Sequence, residues 1–185
     1  SLLKDLNYDE LKVVNENRSS KFVKPGELIF TEGDISEGLY CLHTGKVKIV
    51  KSGLQENAPI VALKKPVNFF GLKSLMLQKP HSVTAIALEQ STICVIEKNN
   101  FLEIVKNNSD LSLKVMKLLS KELEEADARM VSLTQKHLRG RLADALLLLR
   151  QQYGTVSADQ TLAVQMKRAD LAALANMTPA NAIRI

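Results

Sequence analysis

The chain predicts an α+β protein: short antiparallel strands, then one long helix, then a compact helix-turn-helix. Three observations predict this. Between residues 22 and 96, short apolar runs alternate with Gly-bearing turns at near-regular spacing, the pattern of an antiparallel barrel or sandwich. From Asp110 to about Lys136 there is neither Gly nor Pro, and Met116, Leu119, Leu123, Ala126, Met130 and Leu133 recur at spacings of 3, 4, 3, 4 and 3. The last stretch, Lys167 to Ile185, reads as helix, tight turn and the opening of a second helix.

Taken in order, residues 2–18 are amphipathic, with Leu3, Leu6, Leu11 and Val14 on roughly one side, and predict a helical lid. Phe22-Val23 leads into Pro25-Gly26, which suits the two central positions of a type II turn. Leu28–Phe30, Leu39–Leu42, Val47–Lys51, Ile60–Leu63, Val83–Leu88 and Thr92–Ile96 are the expected strands. Glu32-Gly33-Asp34 and Thr44-Gly45 punctuate them, and Ser52–Ala58 is expected to be a polar hairpin loop. Phe69–Leu77 interrupts the rhythm and predicts a single helical turn, with Gly71 allowing close backbone approach and Ser82 adding a hydroxyl nearby. Residues 98–106 predict a short helix.

The heptad seam runs for about two and a half repeats, with charged flanks from Lys117 to Arg129, so it is expected to pair with a second copy of itself. Packing on its own barrel is the competing expectation. Gln135–Gly140 is the expected hinge. Leu142–Gln152 predicts an apolar helix through Leu142, Ala145, Leu146 and Leu149, followed by a polar-rich loop with a short strand over Thr155–Val164. In the final block Leu171, Leu174 and Ala175 form an apolar face and Ala172 is small where a second helix would cross. Asn176 tolerates the left-handed conformation a sharp turn needs. Thr178 suits an N-cap, with Pro179 at the first helical position. The sequence stops just over two turns into this second helix, which is therefore expected to be incomplete.

Net charge is +5, and from Lys136 to Ile185 seven basic residues stand against three acidic ones, an asymmetry that fits a nucleic-acid-binding end. Cys41 and Cys94 lie far apart in predicted strands without a Cys or His at metal-ligand spacing, and are expected as buried reduced thiols. No stretch approaches the ~18 apolar residues of a membrane span. No signal peptide is evident, and a cytoplasmic protein without membrane contact is expected.

The order of parts resembles the cyclic-AMP receptor / fumarate-nitrate regulator (Crp–Fnr) family of bacterial transcription factors. Gly33-Asp34, Glu37-Gly38-Leu39-Tyr40, Thr44-Gly45-Lys46-Val47, Phe70-Gly71-Leu72 and the 168–184 block carry the resemblance, which covers nearly the whole chain. It implies a cyclic-nucleotide-binding-like antiparallel β jelly-roll sensor over residues 1–108. It further implies a dimerisation helix over 109–136 and a winged helix-turn-helix over 137–185, incomplete at its C-terminus. The implied protein is a homodimeric, sequence-specific DNA-binding regulator whose partners are promoter DNA and RNA polymerase.

The resemblance also assigns roles. Arg184 is the expected base reader, bidentate to guanine. Pro179 and Ala180 stand where the family often has polar readers, and Ala180 could touch a thymine methyl. Asn181 would read adenine or contact the backbone, and Arg139, Arg168 and Thr178 would contact phosphates. Phe70, Gly71, Leu72, His81 and Ser82 are the expected effector pocket. Members that bind cyclic nucleotides place Glu after that Gly, and an Arg before the Ser or Thr. Here those positions hold Leu72 and His81, and only Ser82 matches. Leu72 accepts no hydrogen bond and neutral His is a poor partner for a cyclic phosphate, so no cyclic-AMP binding is expected, only an unknown small effector or none. Two cysteines cannot hold a four-cysteine iron–sulfur cluster. Haem would need His43 or His81 as axial ligand, and a lone His is expected to be structural; no cofactor is predicted.

Two other classes fit the sequence less well. A cupin-like enzyme would need clustered histidines, whereas the histidines are only His43, His81 and His137, and no nucleophile–base pair is evident, so no catalysis is expected. A ligand-binding module acting through protein partners fits the heptad helix but leaves the Thr-Pro-started helix and the basic C-terminal quarter unused.

Overall fold

The computed structural model describes residues 2–4, 6–51, 58–156 and 159–185. Eight strands come first: β1 (Arg18–Val23), β2 (Leu28–Phe30), β3 (Gly38–Thr44), β4 (Val47–Val50), β5 (Ile60–Lys64), β6 (Phe69–Phe70), β7 (Thr84–Ala87) and β8 (Ser91–Glu97). The helices are α1 (Tyr8–Glu16), α2 (Leu72–Leu77), α3 (Lys98–Asn107), α4 (Ser109–Gln135), α5 (Leu138–Tyr153), α6 (Arg168–Leu174) and α7 (Pro179–Arg184).

The strands form two four-stranded antiparallel sheets, ordered β1-β8-β3-β6 and β2-β7-β4-β5. That interleaving is a jelly roll, a double-sheet sandwich of two Greek keys. Alternation along each strand decides which side chains fill it. From β3, Tyr40 and Leu42 point between the sheets to join Phe30, Val47, Ile49, Phe70, Ala85, Ile93 and Val95. Leu39 points outward, to a second cluster with Phe69, Leu72, Leu75, Ile96, Phe101, Leu111 and Val115.

Local chemistry sets the element ends. Gly26 has φ +85° and the Glu27 N–H donates to the Lys24 carbonyl at 3.0 Å, the predicted type II turn. Asn7 and Glu10 cap α1 reciprocally, each side chain accepting the other's backbone N–H at 2.9 Å. This capping box starts the N-terminal helix at Tyr8, later than the amphipathic pattern from residue 2 suggests. Of the expected lid face, Leu6 and Val14 are buried, Leu3 is half-buried and Leu11 is exposed, and Leu2 is buried beside them. Asn108 caps α4 and also donates to the Glu10 carboxylate at 2.8 Å, tying lid to long helix.

Three further expectations are corrected. Phe69-Phe70 is a short strand paired with β3, so the internal turn shortens to α2. The hinge narrows to Lys136 and His137, because Gly140 lies inside α5. Asp144 accepts from Ser132 and Lys136, each at 2.8 Å, and this bridges the junction. Those two hydrogen bonds, that from Lys136 foremost, hold its carboxyl below the usual range. Leu146 is exposed, while Ala145 and Leu149 are buried. Of the expected hairpin loop, Ser52–Ala58, residues 52–57 lie outside the described residues.

The C-terminal helices pack on the outer face of the second sheet. Val50, Ile60 and Leu63 from β4 and β5 share one apolar cluster with Ala145, Leu149, Ala172, Leu174 and Met177. Polar ties frame it: Lys48 to Asp170 at 2.5 Å, and the Gln152 side-chain amide to the Leu63 carbonyl at 3.1 Å. Burial of Tyr153, aided by Glu89, raises its phenol, and Lys46 lies 5.6 Å from its ring centre.

Candidate functional site

Between the two sheets, four rings gather. Phe30 comes from β2, Tyr40 from β3, Phe70 from β6 and His81 from the segment after α2. His81 stacks on Phe30 at 3.8 Å between centroids and 11° between planes, and Tyr40 lies 5.5 Å from Phe70 and 4.9 Å from Phe30. Strand alternation turns Tyr40 inward, and Gly71 allows the ring to lie there. At φ +81°, Gly71 abuts Tyr40, and a Cβ on it would fall 2.8 Å from the ring.

The backbone pins His81: its N–H donates to the Asp34 carbonyl, and the Gly33 N–H donates to the His81 carbonyl, both at 2.8 Å. Its side chain is 2% exposed, and neither ring nitrogen has a hydrogen-bond partner among the described residues. Burial pushes the imidazole below its ordinary value, against an opposite pull from Asp34 and Glu37. Burial, with the same two carboxylates, pushes the Tyr40 phenol up to about 12. The Ser82 hydroxyl is likewise unpartnered among the described residues, while its carbonyl accepts from the Lys51 ammonium at 2.7 Å. Lys51 is also held by the Glu32 carboxylate.

Of the five residues expected in the pocket, Phe70 and His81 share the ring cluster, Gly71 adjoins it and Ser82 follows it. The Leu72 side chain turns away, into the outer cluster with Leu39, Leu75 and Phe101. Phe30 and Tyr40 complete the cluster; neither is among the pocket residues expected from the sequence, although Tyr40 holds an inward register position in its strand. The chemistry offered is an aromatic wall with a neutral imidazole and a hydroxyl.

The burial of His81 has a measurable consequence. A neutral buried imidazole binds fewer protons in the folded than in the unfolded chain. Stability therefore falls as pH drops below the unfolded value, 6.5, and levels off below the lowered folded value. The slope from one such group is at most about 1.4 kcal/mol per pH unit. His81→Phe keeps the stack and removes both unpaired nitrogens. It is expected to raise stability by about 1 kcal/mol at neutral pH and to flatten that acid slope in urea titrations at several pH values. An unchanged slope would count against a neutral buried His81.

At the C-terminal end, α6 and α7 are joined by a tight turn. Asn176 sits there at φ +49°, the left-handed position expected of it. The Met177 N–H donates to the Ala172 carbonyl at 2.9 Å, closing the turn. Thr178 caps α7, accepting from the Asn181 N–H at 3.3 Å, and Pro179 occupies the first turn. Ala172 is fully buried at the crossing. Arg139, Arg168, Thr178, Ala180 and Arg184 are exposed, Pro179 and Asn181 half-buried, and the three arginines make no ion pair among the described residues.

Helix α4 presents two faces. Leu111 and Val115 are buried against the roll, Glu122 pairs with Lys64 at 2.9 Å, and Arg129 donates to the Ile60 carbonyl. About a quarter-turn round the helix, the seam is open: Met116 is 60%, Leu123 63% and Met130 60% exposed. Ala126 and Leu133 are exposed as well, and Leu119 is partly covered by the outer cluster.

Known proteins agree with this architecture. The cyclic nucleotide-binding domain family matches residues 20–108. A cyclic AMP receptor protein of Thermus thermophilus is 30% identical over 161 residues, 86% of this chain and 71% of that protein. The transcriptional activator protein Anr of Pseudomonas protegens is 24% identical over 149 residues, 80% of this chain, and the chain spans 61% of its length. A solved CRP/FNR-family transcriptional regulator from Thermus thermophilus superposes with a TM-score of 0.71 at 22% identity, covering 90% of this chain and 82% of that one. These relatives are transcriptional regulators rather than enzymes. With 30% identity across most of a relative, and with the jelly roll and long helix in the same order, the chain belongs to the Crp/Fnr family of transcriptional regulators.

Proposed function

We propose that the chain is a homodimeric, sequence-specific DNA-binding regulator. In it, residues 1–108 sense, 109–136 pair two copies and 137–185 read DNA. The observation that carries the reading is the capped α6–α7 pair, which holds exposed Arg168, Thr178 and Arg184 on one chain end. In this reading α7 enters the major groove, Arg184 reads guanine, Ala180 and Asn181 touch neighbouring bases, and Arg139, Arg168 and Thr178 set register on phosphates. Two copies joined along Met116, Leu119, Leu123, Ala126, Met130 and Leu133 would span half-sites about one helical turn apart. Promoter DNA and RNA polymerase are the proposed partners, and the cytoplasm the proposed place of action. No helix among the described residues is long and apolar enough to cross a membrane.

The proposed effector position is the ring cluster of Phe30, Tyr40, Phe70 and His81, with Gly71 and Ser82 at its edge. A relative is a cyclic AMP receptor by name, but the positions where cyclic-nucleotide-binding members of the family have Glu and Arg hold here a Leu turned to the outer cluster and a buried neutral His. A cyclic phosphate would lose its ionic partner on entering such a site. Cyclic AMP at millimolar concentration is therefore expected to leave thermal unfolding unchanged; a shift equivalent to a few kcal/mol would overturn this part of the reading. An effector on the inner face would reach the DNA-reading end through the second sheet, whose outer face carries Lys48 beside Asp170.

Gel-shift titration on promoter fragments at several salt concentrations tests the whole. A preferred palindrome and a steep salt dependence are expected. Arg184→Ala is expected to cost about 1–3 kcal/mol at one base position and to relax preference there. Salt-insensitive binding, or preference unchanged at every position, would sink the assignment.

A further inference from the structure

The cysteines, far apart in sequence, meet in the fold. Cys41 of β3 and Cys94 of β8 are direct partners in the antiparallel register, flanked by the regular pairs Tyr40–Val95 and Leu42–Ile93. The irregularity of this ladder lies beyond them, between Leu42 and Thr44. Directly opposed residues point to the same side of a sheet. Tyr40 and Leu42 point inward, so both thiols lie on the outer face. Across the sheet the row runs Ser20, Cys94, Cys41, Phe69. Ser20 is exposed with its hydroxyl 4.0 Å from the Cys94 sulfur, Phe69 is buried, and both cysteines are half-buried and free.

Opposed residues of an antiparallel pair have Cα atoms about 4.5–5.5 Å apart, inside the span of about 4.4–6.8 Å that a disulfide bridges. No third His, Cys, Asp or Glu joins them into a metal-binding group among the described residues. We propose that Cys41 and Cys94 form a vicinal dithiol site on the outer face of the jelly roll, which a small disulfide oxidant closes to an intramolecular disulfide. Cys94, beside the exposed Ser20, reacts first. Its thiol gives up a proton and the thiolate attacks one oxidant sulfur, expelling the other as a thiolate that takes a proton. Cys41 then gives up its proton and attacks the Cys94 sulfur, expelling the second oxidant thiolate, which is protonated in turn. Two electrons pass from the cysteine pair to the oxidant, and two protons end on its released thiols. Burial, with Cys94 adding to it, pushes the Cys41 thiol up to about 11, so the closing attack by Cys41 is slow at neutral pH. The new bond would lie directly behind Tyr40 and Val95, the inward neighbours on the same two strands.

The test treats the native chain with glutathione disulfide and follows intact mass after alkylation under non-reducing conditions. The expected product is a single chain lighter by two hydrogens, carrying no glutathione, with the 41 and 94 peptides joined. Cys41→Ser is expected to stop at one glutathione on Cys94. Three results would overturn the proposal: a native chain that stops at a mixed disulfide, one that links to another chain, or one that keeps both thiols through an exposure that oxidises the same chain in denaturant. The wild-type arm decides by itself, whatever the variant's folding.

Discussion

Leu123→Glu is expected to leave the protein monomeric while its fold persists. Leu123 is 63% exposed at the centre of the seam, between Met116 and Met130 at 60% each, and it is absent from the chain's own core clusters. Burying one leucine contributes about 1.5–3 kcal/mol, and in a two-fold dimer the substitution removes two while placing carboxylates close together. The dimer dissociation constant should rise at least about 100-fold, about 2.7 kcal/mol. Sedimentation equilibrium would read this directly, and far-ultraviolet circular dichroism should not change. A variant that dimerises as tightly as the parent would refute the proposed interface.

Gly38→Ala is expected to destabilise the roll by about 3 kcal/mol or more. A Cβ there would sit 1.9 Å from the Ile96 carbonyl oxygen, 2.9 Å from its carbon and 3.2 Å from the Lys98 nitrogen. All three are backbone atoms of β8 and the start of α3, and none can swing away as a side-chain tip would. Relief requires β3 to part from β8, the pair that carries Leu39–Ile96 and Tyr40–Val95. Urea unfolding at unchanged m-value should show the loss, and a cost under about 0.5 kcal/mol would mean that the strands adjust freely.

These two positions differ in how far the sequence reveals them. The seam is a periodic signal within one helix, so Met116 through Leu133 stand out from spacing alone. Whether that seam stays open depends on which face the roll takes, and Leu111, Val115 and Glu122 show that it takes a neighbouring one. Gly38 belongs to a motif that suggested the family, but its steric reason lies in β8, more than fifty residues away. The same contrast runs through the candidate effector site. Phe70 and Gly71 stand out in the sequence because they interrupt the strand rhythm. The partners of His81, namely Phe30 and Tyr40, come from separate strands, and nothing local joins either of them to His81.

By itself the sequence determined what depends on neighbours a few residues away. It set the type II turn at Pro25-Gly26, the left-handed Asn176, the Thr178 cap with Pro179 behind it, the long uninterrupted helix and the jelly roll's run of short strands. Each follows from steric limits on φ and ψ, from capping hydrogen bonds or from the period of apolar residues, all local in origin. Only the tertiary structure decided what depends on strand order and helix docking: the stacking of His81 on Phe30, the outward turn of Leu72, the seating of α6 on the second sheet with Asp170 paired to Lys48, and the pairing of Cys41 with Cys94. The reason is that register and packing are set by the sum of many weak burial terms across the whole core, and no single segment carries that sum.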